Sequence, residues 1–111
     1  MPLVTTKKMF EDALAGHYAV GAFNVENMEM VMAVIRAAEE MRAPVIMQTT
    51  PSTVKYAGLD YYLAMVRAAA ERTDIQVAMH LDHGDSFDLA MRALRTGYTS
   101  IMIDEIGRAH V

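Results

Sequence analysis

The sequence predicts an α/β fold built as the first half of a (β/α)8 barrel, and three observations carry that expectation. The apolar period switches repeatedly between helix-like and strand-like, which implies parallel strands joined by right-handed helical crossovers. All four predicted strands finish in polar side chains: Asn24, Thr49 and Thr50, Asp82 and His83, and Asp104. In a barrel such ends converge on one mouth, where active sites sit. No helix is visible after the fourth strand, whereas a small doubly wound sheet would need one. That second architecture suits the length better, since 111 residues fall well short of the ~250 of a complete barrel. The pattern favours the half-barrel.

Each element has its own signal. Thr5 or Thr6 caps a first helix whose Met9, Phe10, Ala13 and Leu14 share a face, and Gly16 ends it. Tyr18-Ala19-Val20-Gly21-Ala22-Phe23 reads as a short buried strand stopping at Asn24. Asn27 caps a second helix with Met28, Val31, Met32, Ile35 and Ala38 on one stripe. Pro44 closes it from outside, because the residue before a proline resists helical geometry. Val45-Ile46-Met47 is the second strand, running into the polar stretch Gln48-Thr49-Thr50-Pro51-Ser52. Asp60 opens a third helix through Leu63, Met65, Val66 and Ala69 that ends near Arg72-Thr73-Asp74. Val77-Ala78-Met79-His80-Leu81 is the third strand, followed by Asp82-His83-Gly84. Asp85 or Ser86 caps a fourth helix with Phe87, Ala90, Met91 and Leu94 inward, and Gly97 stops it. Thr99-Ser100-Ile101-Met102-Ile103 is the fourth strand, ending at Asp104.

Composition excludes several functions. A net charge of −4 and a pI of about 5.4 argue against a nucleic-acid surface, which needs a basic stripe. The absence of cysteine removes disulfides, thiolate catalysis and Cys-type zinc knuckles. No apolar run approaches the ~20 residues of a membrane helix, and Glu11-Asp12 falls where a secretory signal would be apolar. A cytoplasmic protein is expected. The eleven methionines are read as core filling.

His80-Leu81-Asp82-His83-Gly84 is the most informative stretch. Strand alternation points His80 and Asp82 to one face, and the glycine lets the backbone turn with Asp82 and His83 at the rim. A rim carboxylate beside a rim imidazole offers a proton-transfer group and a metal ligand. The same pair could simply close the strand and cap the next helix. Of the histidines, His17 precedes the first strand and lies at the wrong end, and His80 is deeper and reads as a satisfied core residue. His83 is well placed, with Asp104 as a second or alternative ligand, so a zinc site would be incomplete in this chain. Lys7, Lys8 and Lys55 are not in strands, which removes the Schiff-base route to carbonyl chemistry. Thr49, Thr50 and Ser52 could bond a substrate oxygen or merely form the turn around Pro51.

Four blocks in order resemble the N-terminal part of the class II, zinc-dependent ketose-bisphosphate aldolases. They are Tyr18-Ala19-Val20-Gly21-Ala22-Phe23-Asn24-Val25, Ala43-Pro44-Val45-Ile46, His80 to Gly84, and Gly97-Tyr98-Thr99-Ser100-Ile101-Met102-Ile103-Asp104. The resemblance implies a TIM barrel that cleaves fructose 1,6-bisphosphate reversibly to dihydroxyacetone phosphate and glyceraldehyde 3-phosphate with Zn2+. It implies Asp82 as proton donor and acceptor, His83 as a zinc ligand, and Asp104 as a ligand of a second or vacated metal position. Thr50 matches a substrate-contacting serine, and Asn24 would lie near the substrate. It also implies a homo-oligomer, a dimer or tetramer, for the full-length protein. Thr50-Pro51-Ser52-Thr53 resembles the loop of the tagatose-bisphosphate branch, which is the alternative within the class. A non-catalytic half-barrel that binds a sugar phosphate is the alternative outside it.

The resemblance stops at Asp104, so residues 1–104 are expected to form the N-terminal half of the barrel. Glu105-Ile106-Gly107-Arg108-Ala109-His110-Val111 can be encoded by a sequence that resembles a common sequencing adapter. These residues are expected to be a non-native tail, and the 111-residue chain is expected to be inactive alone and weakly stable.

Overall fold

A computed structural model describes residues 2–104. The expected tail, 105–111, and with it His110, lies outside the described residues. The elements run α1 (Thr6–Gly16), β1 (Gly21–Asn24), α2 (Met28–Met41), β2 (Val45–Thr49), α3 (Pro51–Ala57), α4 (Leu59–Glu71), β3 (Val77–Gly84), α5 (Phe87–Thr96) and β4 (Ser100–Ile103). The four strands form one parallel sheet in sequence order, β1-β2-β3-β4. Strand order that never doubles back is the singly wound arc expected of a half-barrel, not a doubly wound sheet.

Side-chain alternation divides the sheet into two faces. Val45 and Met47 of β2 and Val77, Met79 and Leu81 of β3 pack with Val31 of α2, Tyr62, Leu63 and Val66 of α4, and Leu89 and Ala93 of α5. Ile46 and Ala78, one residue out of phase, pack instead against Met9 of α1. The helices α2, α4 and α5 therefore cover the outer face, and α1 plugs the inner face below the strand ends. α1 buries Met9 and Ala13, while Phe10 and Leu14, expected on the same face, are 51% and 80% exposed.

Local chemistry sets the helix ends. Asn27 Oδ1 accepts from the Met30 N–H at 2.8 Å, and Ser86 Oγ accepts from the Leu89 N–H at 3.0 Å, as predicted, whereas Thr5 stands at the cap position of α1 without a side-chain cap hydrogen bond. The first helix is closed by His17 in the left-handed region (φ 58°), one residue beyond the expected Gly16. Gly97, with φ 128°, closes α5 as expected.

Four expectations are corrected. The first strand starts at Gly21 rather than Tyr18, and its four residues are exposed rather than buried. Pro51 opens a helix, α3, where only a turn was expected, because proline suits the first helical position. Phe87 and Leu94 of α5 are exposed; the buried face runs through Leu89, Ala90 and Ala93 instead. Met28, Met32, Met41 and Met102 are also exposed, so core filling accounts for Met9, Met47 and Met79 but not for the methionines in general. No described helix is long and apolar enough to cross a membrane.

Candidate active site

The inner face carries a polar layer that joins the carboxyl ends of β1 and β2 to the middle of β3 and the first residue of β4. Register aligns Asn24 of β1 with Gln48 of β2, Gln48 with His80 of β3, and His80 with Ser100 of β4. One polar side chain from each strand thus forms a continuous row, with the apolar Ile46 and Ala78 one step below it. Gln48 Nε2 donates to Asn24 Oδ1 at 2.8 Å and to Asp82 Oδ2 at 3.3 Å. His80 Nδ1 lies 2.7 Å from Ser100 Oγ, and its Nε2 faces Asp82 Oδ1 at 3.5 Å. The expectation that His80 and Asp82 share a face is met, and His80 is satisfied by Ser100 as a core histidine should be. Its contact with Asp82, however, makes it part of the same cluster.

The rim is shaped by a bulge. Leu81 pairs with Ile101 but Gly84 pairs with Ile103, so β3 spends one extra residue between those two rungs. The left-handed residue there is His83 (φ 54°), not the glycine to which the turn was assigned. Gly84 serves a different need, since a Cβ on it would sit 2.9 Å from the Met102 carbonyl oxygen. Close approach of the two backbones lets the Asp104 N–H donate to the Gly84 carbonyl at 3.1 Å. The bulge then presents His83 Nδ1 to Asp104 Oδ2 at 2.8 Å, with Nε2 3.6 Å from Asp82 Oδ2.

Electrostatics separate the two histidines. Burial pushes the His80 pKa down, against the pull of Asp82, and favours a neutral ring. A neutral His80 that accepts from the Ser100 hydroxyl at Nδ1 carries its proton on Nε2, toward a carboxylate that only accepts. His83 is exposed and its pKa is raised, first by the hydrogen bond to Asp104 and then by the charge of Asp82.

Asp82, His83 and Asp104 are therefore brought together, and Asn24 is joined to them through Gln48. Thr50 is not: its hydroxyl lies 3.2 Å from both the Ser52 hydroxyl and the Thr53 hydroxyl, within its own turn at the start of α3. Thr49 faces away altogether. It is buried against the helices with its hydroxyl 2.9 Å from the Tyr98 hydroxyl, so it has no route to a substrate. Burial pushes the Tyr98 pKa up to about 12. Reading Gln48 as part of a polar loop missed it; the signal was its spacing of two from the inward Ile46.

The donors at the rim, one imidazole and two carboxylates, are of the kind that hold a divalent metal. They do not make a complete site, because no group of three such donors among the described residues could hold one metal ion. His83 fits as a contributor to a site completed by other residues.

Residues 4–106 match the family described as fructose-bisphosphate aldolase class-II. The fructose-bisphosphate aldolase of Thermus caldophilus is 46% identical over 103 residues, covering 93% of this chain and 33% of that protein. That of Geobacillus stearothermophilus is 43% identical over 107 residues, covering 94% and 37%. Among solved structures, the YdjI aldolase of Escherichia coli K12 superposes with a TM-score of 0.84 at 35% identity, covering 90% of this chain and 39% of that one. The fructose-bisphosphate aldolase of Campylobacter jejuni gives 0.77 at 20% identity, covering 92% and 38%, a likeness of fold. The chain spans about a third of the length of the curated relatives it matches. Sequence blocks, strand order and these matches converge: the chain belongs to the class II fructose-bisphosphate aldolase family.

Proposed function

We propose that the full-length gene product carrying this chain cleaves fructose 1,6-bisphosphate reversibly to dihydroxyacetone phosphate and glyceraldehyde 3-phosphate, with Zn2+ as cofactor. The observation that carries the reading is the meeting of Asp82, His83 and Asp104 where β3 and β4 end, above a polar row that crosses all four strands. His83 would hold the metal, and Asp104 would serve a second metal position. When bound, the metal supplies Lewis-acid stabilisation of the charge that develops on the substrate carbonyl.

The chain's own residues supply the proton chemistry. Cleavage needs a base for the hydroxyl next to the breaking carbon–carbon bond. That hydroxyl gives its proton to Asp82 and becomes the aldehyde, while the bonding pair moves toward the ketone. In the reverse direction Asp82 returns the proton to the new hydroxyl. One half-buried carboxylate, 20% exposed, is partly shielded from water and still open to substrate. Asn24 and Thr50 would contact the sugar phosphate from β1 and from the start of α3.

Tagatose 1,6-bisphosphate is the second reading, supported by Thr50-Pro51-Ser52-Thr53. The reading carries with it a cytoplasmic place in carbohydrate metabolism and a homo-oligomer. It also expects the 111-residue chain alone to be inactive, since its described residues do not complete a metal site.

The test is to remove metal from the full-length gene product with a chelator, then restore zinc while following cleavage of both C4 epimers. Loss and recovery of fructose 1,6-bisphosphate cleavage is the expected result. Preference for the tagatose epimer selects the second reading, and cleavage unaffected by chelation overturns both.

A further inference from the structure

We propose that Gln48 is a positioning residue for Asp82, holding that carboxylate in the orientation in which it exchanges a proton with substrate. The proposal rests on the reading of Asp82 as the proton-transfer group, and goes beyond it by naming what aims the carboxylate.

Gln48 has the contacts for this task. Its amide nitrogen carries two hydrogens, and both are placed: one on Asn24 Oδ1 at 2.8 Å, the other on Asp82 Oδ2 at 3.3 Å. An ionised carboxylate only accepts, so the nitrogen of Gln48 faces Asp82, and Asn24 presents its carbonyl to the remaining hydrogen. Asn24 thereby fixes the plane of the Gln48 amide, and Gln48 fixes one oxygen of Asp82. The other oxygen faces His80 Nε2 at 3.5 Å, and His80 is itself tied to Ser100 at 2.7 Å. Asp82 is thus flanked by two side chains that each lean on the neighbouring strand.

The choice of an amide has a chemical reason. A lysine or arginine at position 48 would hold Asp82 more firmly, but its charge would weaken Asp82 as a base. A neutral donor orients the carboxylate and costs less of its proton affinity. Loss of such a support lets the carboxylate turn about its own bonds, and misplacement of a reacting group by about 1 Å is costly.

The test uses the full-length, zinc-loaded gene product. Gln48→Met keeps the length of the side chain and removes the donor. It is expected to lower kcat by ~10- to 100-fold with KM changed by less than about threefold. Gln48→Glu, which sets a second carboxylate against Asp82, is expected to fall at least as far. Asp82→Ala is measured beside them: if it keeps wild-type kcat, the reading of Asp82 fails and the proposal with it. If Asp82→Ala falls to a low but measurable kcat, adding Gln48→Met is expected to cost nothing further, because there is no carboxylate left to aim. A multiplicative loss in the double variant, or wild-type kcat in Gln48→Met, overturns the positioning role alone. A readout without turnover is the pair of Gln48 side-chain amide protons by NMR. The proton on Asp82 is expected to shift in Asp82→Ala by clearly more than the proton on Asn24; a pair in which neither resonance moves overturns the proposal.

Discussion

His83 and Gly84 divide between them a task that the motif assigns to glycine alone. The imidazole takes the left-handed conformation and the glycine accepts the close backbone of β4, so the residue under backbone strain is the proposed metal ligand itself. Neither fact is legible from His-Gly as a pair, because positive φ and close approach leave the same residue type in a sequence. Thr49 shows the opposite failure: its place at a strand end suggests the mouth, but alternation sends it outward to Tyr98. Tyr98→Phe would leave that buried hydroxyl without its partner. It is expected to cost about 1–3 kcal/mol, read from thermal or denaturant unfolding. The same tyrosine gives a pH dependence with a definite sign. Its pKa is raised from 10.0 to about 12, so the folded state holds the proton more tightly than the unfolded one. Its contribution is complete below pH 10 and is lost as pH rises toward 12. A phenolate that appears in the folded protein near the ordinary tyrosine value would contradict this.

Elements were legible where one apolar face and a clear cap coincide. α2 and α5 begin after Asn27 and Ser86, as their sequence signals require, and Asn27→Ala is expected to cost about 1 kcal/mol in an unfolding measurement. α3 was not legible, because Pro51 signals a turn and a helix start equally well. Burial misled for α1 and α5 for a common reason. Period identifies an apolar stripe, but the width that is covered depends on the neighbour, and small residues such as Ala13, Ala90 and Ala93 bring the backbone close. At the strand level the bulge in β3 decides the site. Gly84→Ala would place a Cβ 2.9 Å from the Met102 carbonyl oxygen and push β4 away. We expect a loss of about 1–3 kcal/mol in stability, together with weaker zinc binding by calorimetry as His83 and Asp104 separate. Unchanged metal affinity would show that their 2.8 Å contact is incidental to the metal site.

At the scale of the molecule, the half-barrel was legible because two independent patterns agree. Helix–strand alternation gives parallel pairing, and polar strand ends give a common mouth; the structure adds the order β1-β2-β3-β4 and helices on the outer face. What the pattern left out is the inner layer. Asn24, Gln48, His80 and Ser100 come from four separated segments, and only register brings them into one row. We propose the chemistry at Asp82, where β3 reaches the rim and Gln48 of that row donates to its carboxylate. The most direct test is the rate of fructose 1,6-bisphosphate cleavage by the zinc-loaded, full-length gene product and its Asp82→Asn variant, with zinc content measured in both. The account predicts cleavage by the parent and a kcat lower by ~10²- to 10⁴-fold in the variant at equal zinc content. An Asp82→Asn variant that keeps its kcat while holding its zinc would contradict it.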